Sequence, residues 1–286
     1  MVCSGTFAYP MIPNLPQLRI LPLRDLILHE DHDRQRTLPL VAKLRAQGIL
    51  RNPPIVMPLE DGTGRYMVLD GANRVTSLQE MEFPHIVAQV VKANDPHVNL
   101  QTWNHVVWGL PTKTLMADLR KIKELDVVKV DTHKSLDAPK YMPVQIRLPD
   151  GKFYLLVESP SDLPTHIQTL HKIVNIYKTR ASLDRTSQTL IDSFKPIYSD
   201  LTVLVIFPNF KIKTVLKLAG QNIVLPTGIT RFTASPRALH LNYPLHELSS
   251  GKPISYKESY LQQWIQDRIK NKGVRHYAEA TFLFDE

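Results

Sequence analysis

Cysteine is almost absent. Cys3 is the single one in 286 residues, which excludes an internal disulfide and any metal site built from several thiolates. Long apolar runs are absent too. The longest spans residues 201–207, far short of the roughly 20 residues a membrane span takes, and reads as a buried strand. The opening Met1-Val2-Cys3-Ser4-Gly5 has no basic segment leading into an apolar one, so no secretory leader is expected. A cytoplasmic location and no membrane partner are the simplest expectations. There is no run of five basic residues, no internal repeat and no low-complexity tract.

What is present is an ample apolar fraction, 43%, enough for one large domain or two ordinary ones. The net charge of +8 is unevenly placed. Residues 1–98 balance, with ten basic and ten acidic side chains, whereas residues 99–286 carry 25 of the 35 Lys and Arg but only 17 of the 27 Asp and Glu. Such an excess attracts anions: a nucleotide, an acidic metabolite or nucleic acid. Because the basic residues are scattered, a solvated surface accounts for most of them, and nucleic acid is not the favoured partner.

Residues 1–16, with three prolines and few charges, predict an irregular arm. Strands are expected at 18–21, 55–57, 65–69 and 84–91, with a hairpin turn at Glu60-Asp61-Gly62-Thr63-Gly64. Helices are expected at 38–47, closed by Gly48, and at 72–81. Asn94-Asp95-Pro96-His97 is a turn and a boundary. Beyond it, helices are expected at 112–124, at 162–177 with Leu163, Ile167, Leu170, Ile173, Val174 and Tyr177 on one face, at 187–194, at 213–219 and at 258–271. Strands are expected in a hairpin over 142–147 and 152–157, at 201–207 and at 222–225.

The junction that carries chemistry is Val68-Leu69-Asp70-Gly71-Ala72-Asn73-Arg74. A strand ends, a glycine permits close approach, and a helix begins with unpaired N–H groups that suit an anion. Arg74 adds a planar cation for phosphate oxygens. Asp70 repels phosphate, so it reads as a helix cap, a magnesium ligand or a substrate-orienting group. The 225–232 segment reads as strand, turn and return strand. There Thr227, Gly228, Thr230 and Arg231 can hold a carboxylate or phosphate. Trp103 is either core or a ligand platform. His29, Asp31, His32 and Asp33 form a charged turn, and no protein-held metal site is expected from them.

With its order of strand, acidic turn, helix, hairpin, glycine turn, helix and strand, the segment of residues 17–93 resembles the ParB/sulfiredoxin superfamily. That resemblance implies an α+β fold in which a ParB/sulfiredoxin-like module (17–98) follows the arm (1–16). A second mixed α/β lobe (99–286) then closes a cleft. Sulfiredoxins place a cysteine beside the turn, where this chain has Ala72 and Asn73. Chromosome-partitioning ParB proteins carry a Gly-Glu-Arg-Arg type turn and a helix-turn-helix, neither of which appears. His29-Glu30 and Asp70-Gly71-Ala72-Asn73-Arg74 are similar to the His-Glu and Asp-Gly-His-His-Arg motifs of the free serine kinases. The likeness extends through Thr230-Arg231 to Arg237, Asn242, Pro244 and Leu245.

The resemblance implies ATP- or ADP-dependent phosphorylation of a small hydroxyl metabolite such as L-serine, with Mg2+ on the nucleotide. Glu30 would be the general base and Asp70 would orient substrate or metal. Gly71, Ala72, Asn73 and Arg74 would hold the nucleotide. Trp103, Thr227, Gly228, Thr230 and Arg231 would hold the substrate. Ala72 and Asn73 replace the family's two histidines, so backbone contacts to phosphate survive and imidazole contacts do not. The alternatives are a ParB-like, CTP-binding regulatory or DNA-associated protein, and a metabolite sensor without catalysis.

Overall fold

The computed structural model describes residues 15–31, 34–130, 143–159 and 162–277. Most of the expected N-terminal arm, Cys3, His32, Asp33 and Met142 lie outside the described residues.

The first half folds as β1 (Leu18–Pro22), β2 (Leu26–Leu28), α1 (Arg34–Gln47), β3 (Ile49–Leu50), β4 (Ile55–Pro58), β5 (Tyr66–Asp70), α2 (Ala72–Glu80) and β6 (His85–Val90). One mixed sheet has the order β1-β6-β4-β5-β2. The hairpin sets Met57 opposite Met67, and β2 lies parallel to β5 with Leu28 beside Val68. That parallel pairing matters for function. It brings the chain leaving β2, at residues 29–31, alongside the end of β5, where the glycine turn begins.

Next come β7 (Val98–Thr102), β8 (Asn104–Trp108), α3 (Thr112–Leu119), β9 (Leu125–Lys129), β10 (Val144–Arg147), β11 (Phe153–Glu158), α4 (Leu163–Lys178) and β12 (Ser182–Thr186). The chain continues through β13 (Leu201–Ile206), α5 (Ile212–Gly220), β14 (Thr230–Ala234), β15 (Tyr243–Pro244), α6 (Leu245–Ser249) and α7 (Ile254–Lys270). The second sheet has the order β12-β8-β13-β10-β11-β9. Helix α4 forms because Asp162 accepts from the Thr165 N–H at 2.8 Å, a side-chain cap. Its apolar stripe is buried as expected, including Ile167, Leu170, Ile173, Val174 and Tyr177.

Several expectations give way. Helix α3 stops at Leu119 instead of 124. The helical stretch expected at 187–194 is only a 3-10 turn at Ile191–Phe194, preceded by strand β12. Residues 222–225 form no strand. Instead Leu225 makes a single parallel bridge with Glu30, its N–H donating to the His29 carbonyl at 2.8 Å. The return strand β14 therefore pairs with β7 rather than with 222–225.

Two apolar clusters organise the molecule. One joins the underside of the first sheet (Ile55, Met57, Met67, Leu69) to the second sheet and its helices. The other joins Ile20, Val56, Val68, Val75 and Leu78 to Tyr243, Leu245, Leu248 and Leu261. The C-terminal stretch, numbered with the second lobe, thus packs into the first. β15 pairs with β3, and Glu258 accepts from the Ile20 N–H at 2.9 Å. Among the described residues, no helix is long and apolar enough to cross a membrane.

Candidate active site

An open cleft of about 880 Å³ lies between the edges of the two sheets. Of the eleven residues singled out in the sequence, ten line it: Glu30, Asp70, Gly71, Ala72, Asn73, Arg74, Trp103, Thr227, Thr230 and Arg231. Gly228 is not part of the wall, but its N–H donates to Glu30 Oε2 at 2.7 Å.

Glu30 is held on three sides. Gly228 N–H bonds one carboxylate oxygen, and Thr230 N–H bonds the other at 2.6 Å. The Thr230 hydroxyl donates to that second oxygen as well. Donors expected to hold a substrate carboxylate are thus turned to the chain's own. A carboxylate offers about four acceptor directions, and these bonds use three. Oε2 keeps one open. Thr227 ties the same loop to the chain leaving β2 by donating to the Asp31 carbonyl at 2.9 Å.

Gly228 is required for this arrangement. Its φ is +76°, and a Cβ there would sit 2.2 Å from Arg185 Nε, so the guanidinium of Arg185 lies against the bare backbone. On the other side, the Gly228 carbonyl accepts from His105 Nε2 at 3.0 Å, and His105 Nδ1 lies 2.8 Å from the Tyr177 hydroxyl. Burial pushes His105 down to about 4 and raises Tyr177. His105 is therefore neutral, its Nε2–H bonded to Gly228, its Nδ1 accepting from Tyr177.

That burial makes a pH prediction. The unfolded chain takes a proton on His105 near pH 6.5, while the folded chain resists it until about 4. Stability should be full above about pH 6.5 and fall as pH drops towards 4, by about 3 kcal/mol at most from this group. Urea unfolding at a series of pH values, compared with His105→Gln, checks it. An unchanged acid slope in the variant rules out His105 as the cause.

At the glycine turn, Gly71 has φ +92° and precedes α2 without a side-chain cap. Asp70 is therefore not a helix cap. Its Oδ2 instead accepts from Arg74 at 3.0 Å and from Arg237. Arg74 also donates to the Asn52 carbonyl at 2.8 Å, so the arginine expected to grip phosphate is already anchored. The first bond into α2 runs from Val75 N–H to the Gly71 carbonyl at 3.0 Å. The N–H groups of Ala72 and Asn73 have no partner among the described residues, and they stand at the positive end of a nine-residue helix.

Arg231 stacks on Trp103, its guanidinium carbon 4.5 Å from the ring centroid, a cation–π contact. Arg185 and Arg231 line the cleft and form no ion pair among the described residues. Sequence reasoning missed Arg185, because residues 182–186 carry no strand pattern. It also gave no role to His29, which is buried and lies within hydrogen-bond distance of Thr230 Oγ1. Arg237 lay within the resemblance but was assigned no contact.

No protein-family model matches the chain. In sequence it is 25% identical over 270 residues to the ATP-dependent L-serine kinase SbnI of Staphylococcus aureus, covering 94% of this chain and 97% of that one. It is 28% identical over 102 residues to an ATP-dependent L-serine kinase of Staphylothermus marinus, covering 36% of this chain and 40% of that one. In structure it matches C-terminally truncated SbnI from Staphylococcus aureus with a TM-score of 0.72, at 24% identity, over 88% of this chain and 97% of that one. A free serine kinase in complex with AMP matches with a TM-score of 0.65, at 15% identity, over 81% and 93%. The chain is related in sequence to the ATP-dependent L-serine kinases and carries the fold of the free serine kinases along most of its length.

Proposed function

We propose that this chain is a cytoplasmic kinase that transfers the terminal phosphoryl group of ATP to the hydroxyl of free L-serine, giving O-phosphoserine and ADP. The observation that carries the proposal is the pose of Glu30. Its carboxylate is fixed with one acceptor direction open, in the same cleft as a helix N-terminus suited to phosphate and as Arg185 and Arg231, which form no ion pair among the described residues. The relatedness in sequence to ATP-dependent L-serine kinases over nearly the whole chain supports it.

In this reading the phosphates lie at the N–H groups of Ala72 and Asn73, with the Asn73 carboxamide as a further donor. Gly71 provides the close approach, and Arg74 braces the turn through Asp70 and Asn52. Trp103 with Arg231, and Arg185 beside them, receive the serine carboxylate. Thr227, Gly228 and Thr230 hold the loop and the base rather than the substrate. Glu30 Oε2 takes the hydroxyl proton as the oxygen attacks phosphorus, since a neutral hydroxyl is a poor nucleophile.

No cluster of three metal-binding side chains occurs among the described residues. In this reading magnesium would be carried mainly by the nucleotide phosphates with one or two protein carboxylates. Asp70 suits that role, because both its arginine contacts fall on Oδ2. Magnesium there would neutralise charge on the transferring phosphate.

The test is direct. The protein is incubated with magnesium, L-serine and either ATP, ADP or CTP, and O-phosphoserine is measured by mass spectrometry. O-phosphoserine with ATP is expected. Its formation with ADP alone would reassign the donor, and its absence with every nucleotide would remove the kinase assignment.

A further inference from the structure

We infer that His29, acting through the Thr230 hydroxyl, holds one proton that keeps Glu30 free to act as a base. The inference rests on Glu30 being the base of the proposed reaction, but its core is a count of hydrogens that needs no turnover.

The His29 ring is buried, 7% exposed, and packed edge-on against Phe232 with centroids 5.1 Å apart. Nδ1 lies 2.6 Å from the Val68 carbonyl. A carbonyl only accepts, so Nδ1 carries a hydrogen. Nε2 lies 2.8 Å from Thr230 Oγ1, and Thr230 Oγ1 is bonded in turn to Glu30 Oε1. Those two contacts need two hydrogens, and the hydroxyl supplies one. The second sits on Nε2 or on the carboxylate. The three side chains together therefore hold one proton more than a neutral imidazole and an ionised carboxylate bring.

The surroundings decide where it resides. Glu30 also accepts from the Gly228 and Thr230 amides, and such bonds favour the ionised carboxylate. The ring has an acceptor at each nitrogen. His29 is thus an imidazolium whose Nε2–H points at Thr230, and Thr230 donates onward to Glu30. Other charged groups line the same cleft: Asp31 and Asp70, and the guanidiniums of Arg74, Arg185, Arg231 and Arg237. None of them is hydrogen-bonded to the ring. Were the proton to pass to Glu30, the base would be spent before substrate arrived. His29 and Thr230 are accordingly positioning residues. They fix both the direction and the charge of the carboxylate.

The experiment is nitrogen NMR of the protein labelled with ring-15N histidine, with His29→Gln used to assign the signal. At neutral pH, both nitrogens of His29 should appear protonated. Thr230→Val, which removes the hydroxyl, should leave the ring with a single proton, and Thr230→Ser should restore the second. A singly protonated ring in the unsubstituted protein overturns the inference, and that spectrum decides even where a variant does not fold. So does a ring unchanged by Thr230→Val. In turnover, His29→Gln should lower kcat by about 10²-fold with little change in KM for ATP. An unaltered kcat also overturns it. If no O-phosphoserine forms while His29 keeps both protons, the kinase reading fails and the proton assignment stands.

Discussion

Replacing Glu30 with glutamine is expected to lower kcat for serine phosphorylation by about 10²- to 10⁴-fold, the range a positioned general base contributes. ATP affinity should stay within about twofold. The shape is kept, because glutamine retains one oxygen able to accept from the Thr230 N–H and hydroxyl, as Glu30 does. What is lost is the proton acceptor. The new amide also turns N–H groups towards the Gly228 N–H, which now donates to Glu30 at 2.7 Å. That donor then lacks an acceptor, at a cost of about 1–3 kcal/mol, so the variant should unfold at lower temperature. Steady-state kinetics paired with calorimetric ATP titration separates the effects. Equal losses in binding and turnover would mean that Glu30 shapes the nucleotide site rather than the chemical step.

The second large effect is expected at Gly71. Alanine there meets two obstacles. The backbone has φ +92°, and the added Cβ would stand 2.9 Å from Pro54 Cβ and 2.8 Å from the Arg74 guanidinium. A left-handed conformation forced on a non-glycine residue costs about 1–3 kcal/mol, and the proline ring has little room to move. Arg74 would be pushed from Asn52 and Asp70, and the start of α2 would tilt with it. Gly71→Ala should lower stability in urea by that amount and weaken ATP binding at least tenfold. A variant with unchanged stability and affinity would show that the turn does not hold phosphate.

The parts of this fold that were legible in the sequence are those where one physical signal suffices. Residues 66–69 are an apolar run that follows a Gly-containing hairpin turn and ends at Asp70-Gly71, and residues 72–80 then change period, so strand, turn and helix were readable. Asp162 and the apolar stripe after it marked α4. Strand β8 was not readable, because it buries Asn104 and His105 in the middle of a sheet. Their polarity is satisfied by Gln188, Phe207, Gly228 and Tyr177, partners far away in sequence. The same holds within the site. Glu30 and the 70–74 turn could be picked out by local motif. That Thr230 would turn its amide and hydroxyl to Glu30, 200 residues earlier, could not, and Thr230 was read as a substrate ligand. Arg185 was invisible because β12 exposes Ser182, Asp184 and Arg185 and so lacks the alternation that marks a strand.

The packing of Tyr243, Leu245, Leu248 and Leu261 against Ile20, Val68 and Val75 bears on the order in which the protein is made. A ribosome delivers the strands around the glycine turn early, but the residues that cover their apolar face emerge only after the whole second sheet. The glycine turn therefore waits, incompletely buried, while roughly another 150 residues are synthesised, which at 5–20 residues per second is about 8–30 seconds. During that interval the exposed edge and face of the first sheet are a target for chaperones and for pairing with other nascent chains. Slow codons placed after residue 98 would lengthen the exposure, and the yield of folded protein should fall with them.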